Sequence, residues 1–305
     1  MLASFNMDLV MRVERAPRRG ETVQGVFETY LGGKGFNQAV AARRLGAEVA
    51  VVGRVGDDEY GRRFLDALDR EGIDGRAVVV DREHGTGVAT IVVEPDGANT
   101  IVQSPRANWA LSSDDATDAA RALAQADVAL LNRETSDDAA VTFTEALHAA
   151  GARVVFNAAP IVGRMLPDTL ARLPDVIVAN ELETADVLGI DPPGPEYTDK
   201  TTVGLHQMGI KGEFVVTFGA GGAAAVQIGR SRHVPAFEVP VVDTTGAGDA
   251  FCAGLAVALA EGTSIEEALR FASAAGAVAC TRAGAEPAMP YRDEVEELLA
   301  KGVTR

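Results

Sequence analysis

The sequence predicts an α/β fold, a doubly wound, mostly parallel central sheet flanked by helices, with a small β-sheet lid beside it. Three observations predict it. Short β-branched runs alternate with longer segments rich in Ala, Leu, Arg and Glu. Those short runs are unbroken and apolar, as strands covered on both faces must be. Two other stretches break the rhythm with the alternation and turn residues of antiparallel strands. The chain of 305 residues, 47% hydrophobic and 24% charged, can bury a large core. It reads as one domain over 1–305, with lid strands from about 11–30 and 87–106.

Taken in order, Met11 to Tyr30 holds Pro17, Gly20 and an alternating run from Thr22 to Phe27, the first lid segment. Val49 to Val52 predicts a core strand, and Tyr60 to Arg70 the helix after it. Gly87 to Val102 predicts two strands around the turn Pro95-Asp96-Gly97, the second lid segment. Val128 to Leu131 then predicts a strand and Ser136 to Ala150 a helix; Val154 to Phe156 and Val176 to Val178 predict strands, with a helix over Glu181 to Leu188. Phe214 to Thr217 is a further strand, and Cys252 to Ala260 a helix of small residues. Asp191 to Lys200 is the one Pro/Gly-rich loop, too short to link domains.

Charge narrows the function. With 28 basic and 44 acidic side chains the net charge is -16, which argues against a nucleic-acid or anionic-membrane partner. A phosphate ligand must therefore be held by local dipoles and a metal. The N-terminus lacks a basic region, and the longest uncharged Ala-rich run, Phe251 to Ala260, is half the length a bilayer span needs. A cytoplasmic protein is expected. Cys252 and Cys280 read as buried free thiols, and His84, His148, His206 and His233 lack metal-ligand spacing.

The run from Val241 to Phe251 carries the chemistry. Gly246, Ala247 and Gly248 are small enough for the backbone to pass close to a ligand. They also open a helix, so their N–H groups and the positive end of its dipole converge on one point, an anion hole. Asp249 follows at the first turn, either as a helix-stabilising carboxylate or as a base. A carboxylate beside a phosphate-sized anion hole suits phosphoryl transfer to an alcohol: Asp249 takes the hydroxyl proton while the amides hold the migrating charge.

Asp243-Thr244-Thr245-Gly246-Ala247-Gly248-Asp249-Ala250-Phe251 resembles the C-terminal signature of the ribokinase / phosphofructokinase B family of sugar kinases. Gly32-Gly33-Lys34-Gly35-Phe36-Asn37-Gln38-Ala39 resembles its N-terminal signature, in the form typical of ribokinases, which implies sugar contacts from Gly33, Lys34 and Asn37. Asn6-Met7-Asp8, read as lying after the first strand, resembles the family's Asn-x-Asp and implies that Asn6 and Asp8 bind sugar hydroxyls. Fewer apolar residues precede it than in the family, and no Gly precedes Ser4; either the first strand is short or the start lies downstream of the natural one.

The same resemblance covers the rest of the chain. Asn180 and Glu183 match an Asn-x-x-Glu that shapes the phosphate site and holds Mg²⁺ through water, while also reading as a capping box; the two roles are compatible. Thr217, Gly219 and Gly222, with Gly248, imply the ATP side, although no Walker-type Gly-Lys-Ser/Thr follows. Ser273 falls in the helix that flanks adenine in relatives, where larger polar residues are common. Asp243, Thr245, Ala279, Gly284 and Ala288 match a site for an activating monovalent cation such as K⁺, with Ala288 where a hydroxyl residue is often found.

Glu134 and Asn157-Ala158-Ala159-Pro160 extend the match, and Glu134 and Asp249 join the implied sugar pocket. Carboxylates outnumber Lys34 there, so a neutral polyol fits better than a sugar phosphate. The expected reaction is transfer of the ATP γ-phosphate to a primary hydroxyl, D-ribose giving ribose 5-phosphate. Arg106, where ribokinases more often carry Gly, is either a surface arginine on the lid or a contact for a carboxylated or phosphorylated sugar. Fructose, a nucleoside, or a sugar-binding relative without catalysis are the other readings. By resemblance, two lids clasp in a homodimer.

Overall fold

The computed structural model describes residues 1–95, 97–161, 163, 165–194 and 198–302. Of the turn Pro95-Asp96-Gly97, Asp96 lies outside the described residues, as do 195–197 in the Pro/Gly-rich loop. The strands are β1 (Asn6–Val13), β2 (Gly25–Gly32), β3 (Ala50–Gly56), β4 (Asp74–Asp81), β5 (Gly87–Val93), β6 (Asn99–Ser104), β7 (Val128–Leu131), β8 (Arg153–Asn157), β9 (Val176–Asn180), β10 (Glu213–Thr217), β11 (Ala223–Gln227) and β12 (Arg230–Val234). The helices are α1 (Lys34–Arg44), α2 (Glu59–Glu71), α3 (Ala107–Ala110), α4 (Ser113–Ala122), α5 (Asp137–Ala149), α6 (Asp168–Arg172), α7 (Glu181–Leu188), α8 (Thr198–Met208), α9 (Ala247–Ala260), α10 (Ile265–Ala279) and α11 (Arg292–Lys301).

Strands β7 to β10 are parallel neighbours, and β11 and β12 extend them antiparallel. On the other side, β3 pairs with β4 in parallel. The first residues bridge the two pieces: Leu2 pairs with Val52 of β3 and donates its N–H to Leu130 O of β7 at 3.0 Å. The central sheet is thus continuous across the N-terminus. Alternate residues serve opposite faces, as the strand period of two demands. Val154, Phe156, Ile177, Phe214 and Val216 pack with Phe143 of α5, Leu170 of α6 and Leu205 of α8. Val155, Val176, Val178 and Val215 pack with Leu255 and Leu259 of α9 and Leu269 of α10.

A third cluster underlies the N-terminal half. Phe5, Phe36 and Phe64 are fully buried, with Phe36 and Phe64 edge-on at 5.0 Å between ring centroids. Truncating one of these rings to Ala costs roughly 3–5 kcal/mol in comparable cores. The cluster matters for function because Phe36 fixes the first turn of α1, where Lys34 and Asn37 also lie.

The lid is a separate four-stranded sheet of order β2-β1-β5-β6, with β1 and β5 parallel and the outer strands antiparallel to them. It corrects one expectation: Asn6 does not follow the first strand but opens β1, pairing with Gly32 and Gly87. The chain runs from core bridge to lid strand without a turn, so the lid reaches back to Asn6. Strand β4 carries no sequence expectation, and α8 begins at Thr198, inside the stretch read as a loop. Among the described residues no helix is long and apolar enough to cross a membrane.

Candidate active site

Asp249 stands in the first turn of α9 and is 6% exposed. Two successive side chains of α1 hold it: Asn37 Nδ2 donates to Oδ2 at 3.0 Å and Gln38 Nε2 to Oδ1 at 3.1 Å. Burial pushes the Asp249 carboxyl above its ordinary range, against the opposing pull of Lys34 and the Asn37 hydrogen bond. Lys34 answers in kind. Burial would lower its ammonium, but Asp249, Glu134 and Glu183 together hold it above the usual lysine value.

Helix α9 opens on Gly246 at φ 78°, a left-handed turn that only glycine adopts without strain. Among the described residues, the N–H groups of Gly246 and Gly248 meet no protein acceptor. Ala247 departs from the expected trio, because its N–H donates to Thr244 O at 3.2 Å. The left-handed turn at Gly246 folds the chain back and brings that carbonyl into reach. Of the expected trio, the open donors are therefore those of Gly246 and Gly248, at the positive end of the helix dipole, and the N–H of Asp249 is likewise open among the described residues.

On one side of this turn lies a cavity of about 820 Å³. Thr217, Gly219, Gly222, Gly248 and Ser273 all line it, as does Ala247. Gly219, with a left-handed φ of 52°, has open space where a side chain would stand, so the backbone is bare to a ligand. Gly222 is required for a different reason: a Cβ there would lie 2.1 Å from Val234 O. Phe237, Val241, Phe251 and Cys280 complete the apolar wall; Val241 and Phe251 bound the run singled out in the sequence, Phe237 lies outside it, and Cys280, expected buried, is only partly so. Among the described residues the buried Ser273 hydroxyl meets no hydrogen-bond partner.

On the other side Asn6, Asp8, Gly33, Lys34 and Glu134 come together. Glu134 is the hub: its Oε2 accepts from Ser4 Oγ at 2.6 Å, Asn6 Nδ2 at 3.2 Å and Lys34 N at 2.8 Å. Its Oε1 accepts from Gln103 Nε2 of the lid at 3.0 Å. Asn6 Oδ1 in turn accepts from Asn108 Nδ2 at 2.9 Å. Asp8 lies two residues along β1 on the same face, over Gly32, where any Cβ would lie 2.3 Å from its carboxylate. Burial and the charges of Glu134 and Asp249 raise its carboxyl to about 7. Gly33, at φ 95°, lets the chain pass so close to Ser4 and Asn6 that a Cβ would meet Ser4 O at 2.7 Å.

Asn180 and Glu183 form the capping box of α7: Asn180 Oδ1 accepts from Glu183 N, and Glu183 Oε2 from Asn180 N, each at 2.9 Å. The Asn180 acceptor is thereby spent, and Asn180 does not line the cavity. Among the described residues no donor reaches Glu183 Oε1, and Glu183 acts on Lys34 electrostatically, so its charge bears on the same centre. That single open oxygen fits a magnesium ion held through water. Among the described residues no three His, Cys, Asp or Glu side chains gather as a metal cage.

Asp243, Thr245 and Gly284 also meet. Asp243 accepts from Thr245 N and Oγ1 on one oxygen, at 2.9 and 2.7 Å, and from Gly284 N on the other at 2.9 Å. The carboxylate staples two loops. Cys280 O, next to Ala279, accepts from Val242 N at 2.8 Å, and Ala288 is fully buried.

Arg106 follows β6 and is held in part by the protein. Its Nη1 donates to Thr86 O at 2.9 Å, its guanidinium packs on Gly85, and its charge acts on Asp58. Its φ of 45° is the backbone region that favours glycine.

Comparison with known proteins agrees with this geometry. Residues 1–292 match the model of the pfkB family carbohydrate kinases. The chain is 36% identical to a ribokinase of Haemophilus influenzae, over 98% of this chain and 97% of the relative. It is 37% identical to one of Bacillus subtilis, over 98% of each. The structure of Arabidopsis thaliana ribokinase complexed with ribose and ATP superposes with a TM-score of 0.90 at 33% identity, covering 98% of this chain and 97% of that one. The chain belongs to the pfkB family of carbohydrate kinases and is an ATP-dependent sugar phosphotransferase.

Proposed function

We propose that this kinase phosphorylates D-ribose at its primary hydroxyl, giving ribose 5-phosphate, with Asp249 as the base. One observation carries the reading. Asp249 sits at the turn dividing a glycine-lined cavity from a pocket of hydroxyl-binding side chains, beside the open amides of Gly246 and Gly248. ATP fits the cavity side, along Thr217, Gly219, Gly222 and Gly248. Ribose fits between Asn6, Asp8, Gly33, Lys34 and Glu134.

Asp249 withdraws the proton from the hydroxyl as it attacks in line. The amides of Gly246 and Gly248 take up charge that develops on the transferred group, and Lys34, drawn in by three carboxylates, adds a mobile cation. Glu183 would hold Mg²⁺ through water; the ion supplies charge neutralisation on the phosphates. Asp243, Thr245, Ala279, Gly284 and Ala288 would hold K⁺ through main-chain oxygens and steady the loop before Gly246. The lid excludes water from the site.

Glu134 and Asp249, joined by Asp8 when it ionises, outnumber the one lysine, and this acidic balance disfavours a phosphorylated or carboxylated sugar. Arg106, the residue that favoured such substrates, gives one of its donors to Thr86 O. Coupled ADP release over ribose, 2-deoxyribose, fructose, 2-keto-3-deoxygluconate, adenosine and fructose 6-phosphate tests the assignment. Ribose should give the highest kcat/KM; a higher value for another sugar would replace it.

The lid supports a homodimer. Val26 and Phe27 on one edge strand, and Ile101 and Val102 on the other, are more than half exposed. Such edges need cover. Sedimentation at micromolar protein should show two chains. Two free cysteines, Cys252 and Cys280, and a nucleotide substrate support a cytoplasmic site of action.

A further inference from the structure

We infer that Gln38 is a positioning residue for Asp249: braced by Asn157, its side-chain amide fixes the orientation of the carboxylate. The inference rests on the reading of Asp249 as the base. Gln38 is fully buried in α1. Its Nε2 donates to Asp249 Oδ1 at 3.1 Å and to Asn157 Oδ1 at 3.2 Å. Asn157 Nδ2 donates in turn to Val178 O of β9 at 3.2 Å. A relay of amides therefore runs from the backbone of the central sheet to the carboxylate.

The other end of the Gln38 amide shows why it is there. Among the described residues Oε1 has no partner, and it has no accessible surface. No sugar can touch it, so Gln38 is not a substrate ligand. Reversing the amide would set Oε1 against Asp249 Oδ1 and Asn157 Oδ1, oxygen against oxygen, so the two acceptors dictate its orientation. A buried acceptor left unmade is costly, and a methionine would fill the same space without it. An amide retained under that penalty is explained by its two donated bonds. The bond to Oδ1 favours the ionised carboxylate in a site where burial opposes ionisation.

The test is Gln38→Met, assayed for kcat against pH at saturating ribose and ATP, with a thermal melt. Turnover should fall about 10- to 100-fold, as for loss of a hydrogen bond to a charged group, with KM for ribose nearly kept. The acid limb of the kcat profile should move up by about one pH unit. The melting temperature should hold or rise. An unchanged kcat and limb, or a lower melting temperature with the limb in place, would overturn the inference. Asn157→Ala leaves Gln38 present but unbraced and should shift the limb the same way by less; it decides the matter alone should Gln38→Met not fold. Adding it to Gln38→Met should cost little more, since both act through one bond. Asp249→Asn separates the two readings. Full turnover in that variant removes the base and this inference together; a dead Asp249→Asn beside a wild-type Gln38→Met removes only the inference.

Discussion

Gln103, on the outer strand of the lid, donates from Nε2 to Glu134 Oε1 at 3.0 Å, so the lid is tied to the carboxylate that organises the sugar side. The other oxygen of Glu134 gathers Ser4, Asn6 and the first residue of α1. Glu134→Gln keeps the shape and removes the charge. KM for ribose should rise roughly 10- to 100-fold, with a smaller change in kcat, in steady-state assays. An unchanged KM would take Glu134 out of the sugar site.

Two glycines of the anion hole should respond differently to alanine. A Cβ on Gly248 meets nothing within 4 Å and lies in the first turn of α9. Gly248→Ala should therefore melt at the same temperature or higher, while its methyl group intrudes on the nucleotide side and lowers kcat by about 100-fold or more. Gly246→Ala meets a left-handed φ and Met289 Cε at 2.6 Å, and should lose stability as well. Retained turnover in Gly248→Ala would remove its amide from the transferring group.

Asp8 makes stability depend on pH. Its carboxyl, raised by burial to about 7 from an ordinary 3.8, resists ionisation in the folded chain but not in the unfolded one. Stability without ligand should therefore be lost as pH rises from about 4 to about 7. Asp8→Asn lacks this loss, so its melting temperature should gain on the wild type across that window and then level off. A pH-independent difference would show Asp8 to be unperturbed.

Much of this was readable in the residues, because the two strand rhythms differ. Unbroken runs such as Val154 to Phe156 feed both faces of the sheet, whereas Thr22 to Phe27 alternates. Asn6 was misplaced because the core strand at Leu2 is only a bridge and continues straight into the lid, with no Gly or Pro to mark the change. Arg106 read either as a surface arginine or as a substrate contact, because glycine is commoner there. The structure shows a backbone reason, a positive φ, which no side-chain reading reveals. Gln38 was visible inside a motif, but its role depends on meeting Asp249 across more than two hundred residues. Phe237 reaches the cavity from an irregular loop, which has no period to read.

The base itself is tested most directly by Asp249→Asn, which preserves the hydrogen-bonding shape around Asn37 and Gln38 but cannot accept the hydroxyl proton. Ribose-dependent ADP release should fall by about 100- to 10,000-fold while ribose still binds with nearly wild-type affinity by calorimetry. Turnover within a few-fold of the wild type would contradict the account, because proton removal would then not depend on that carboxylate.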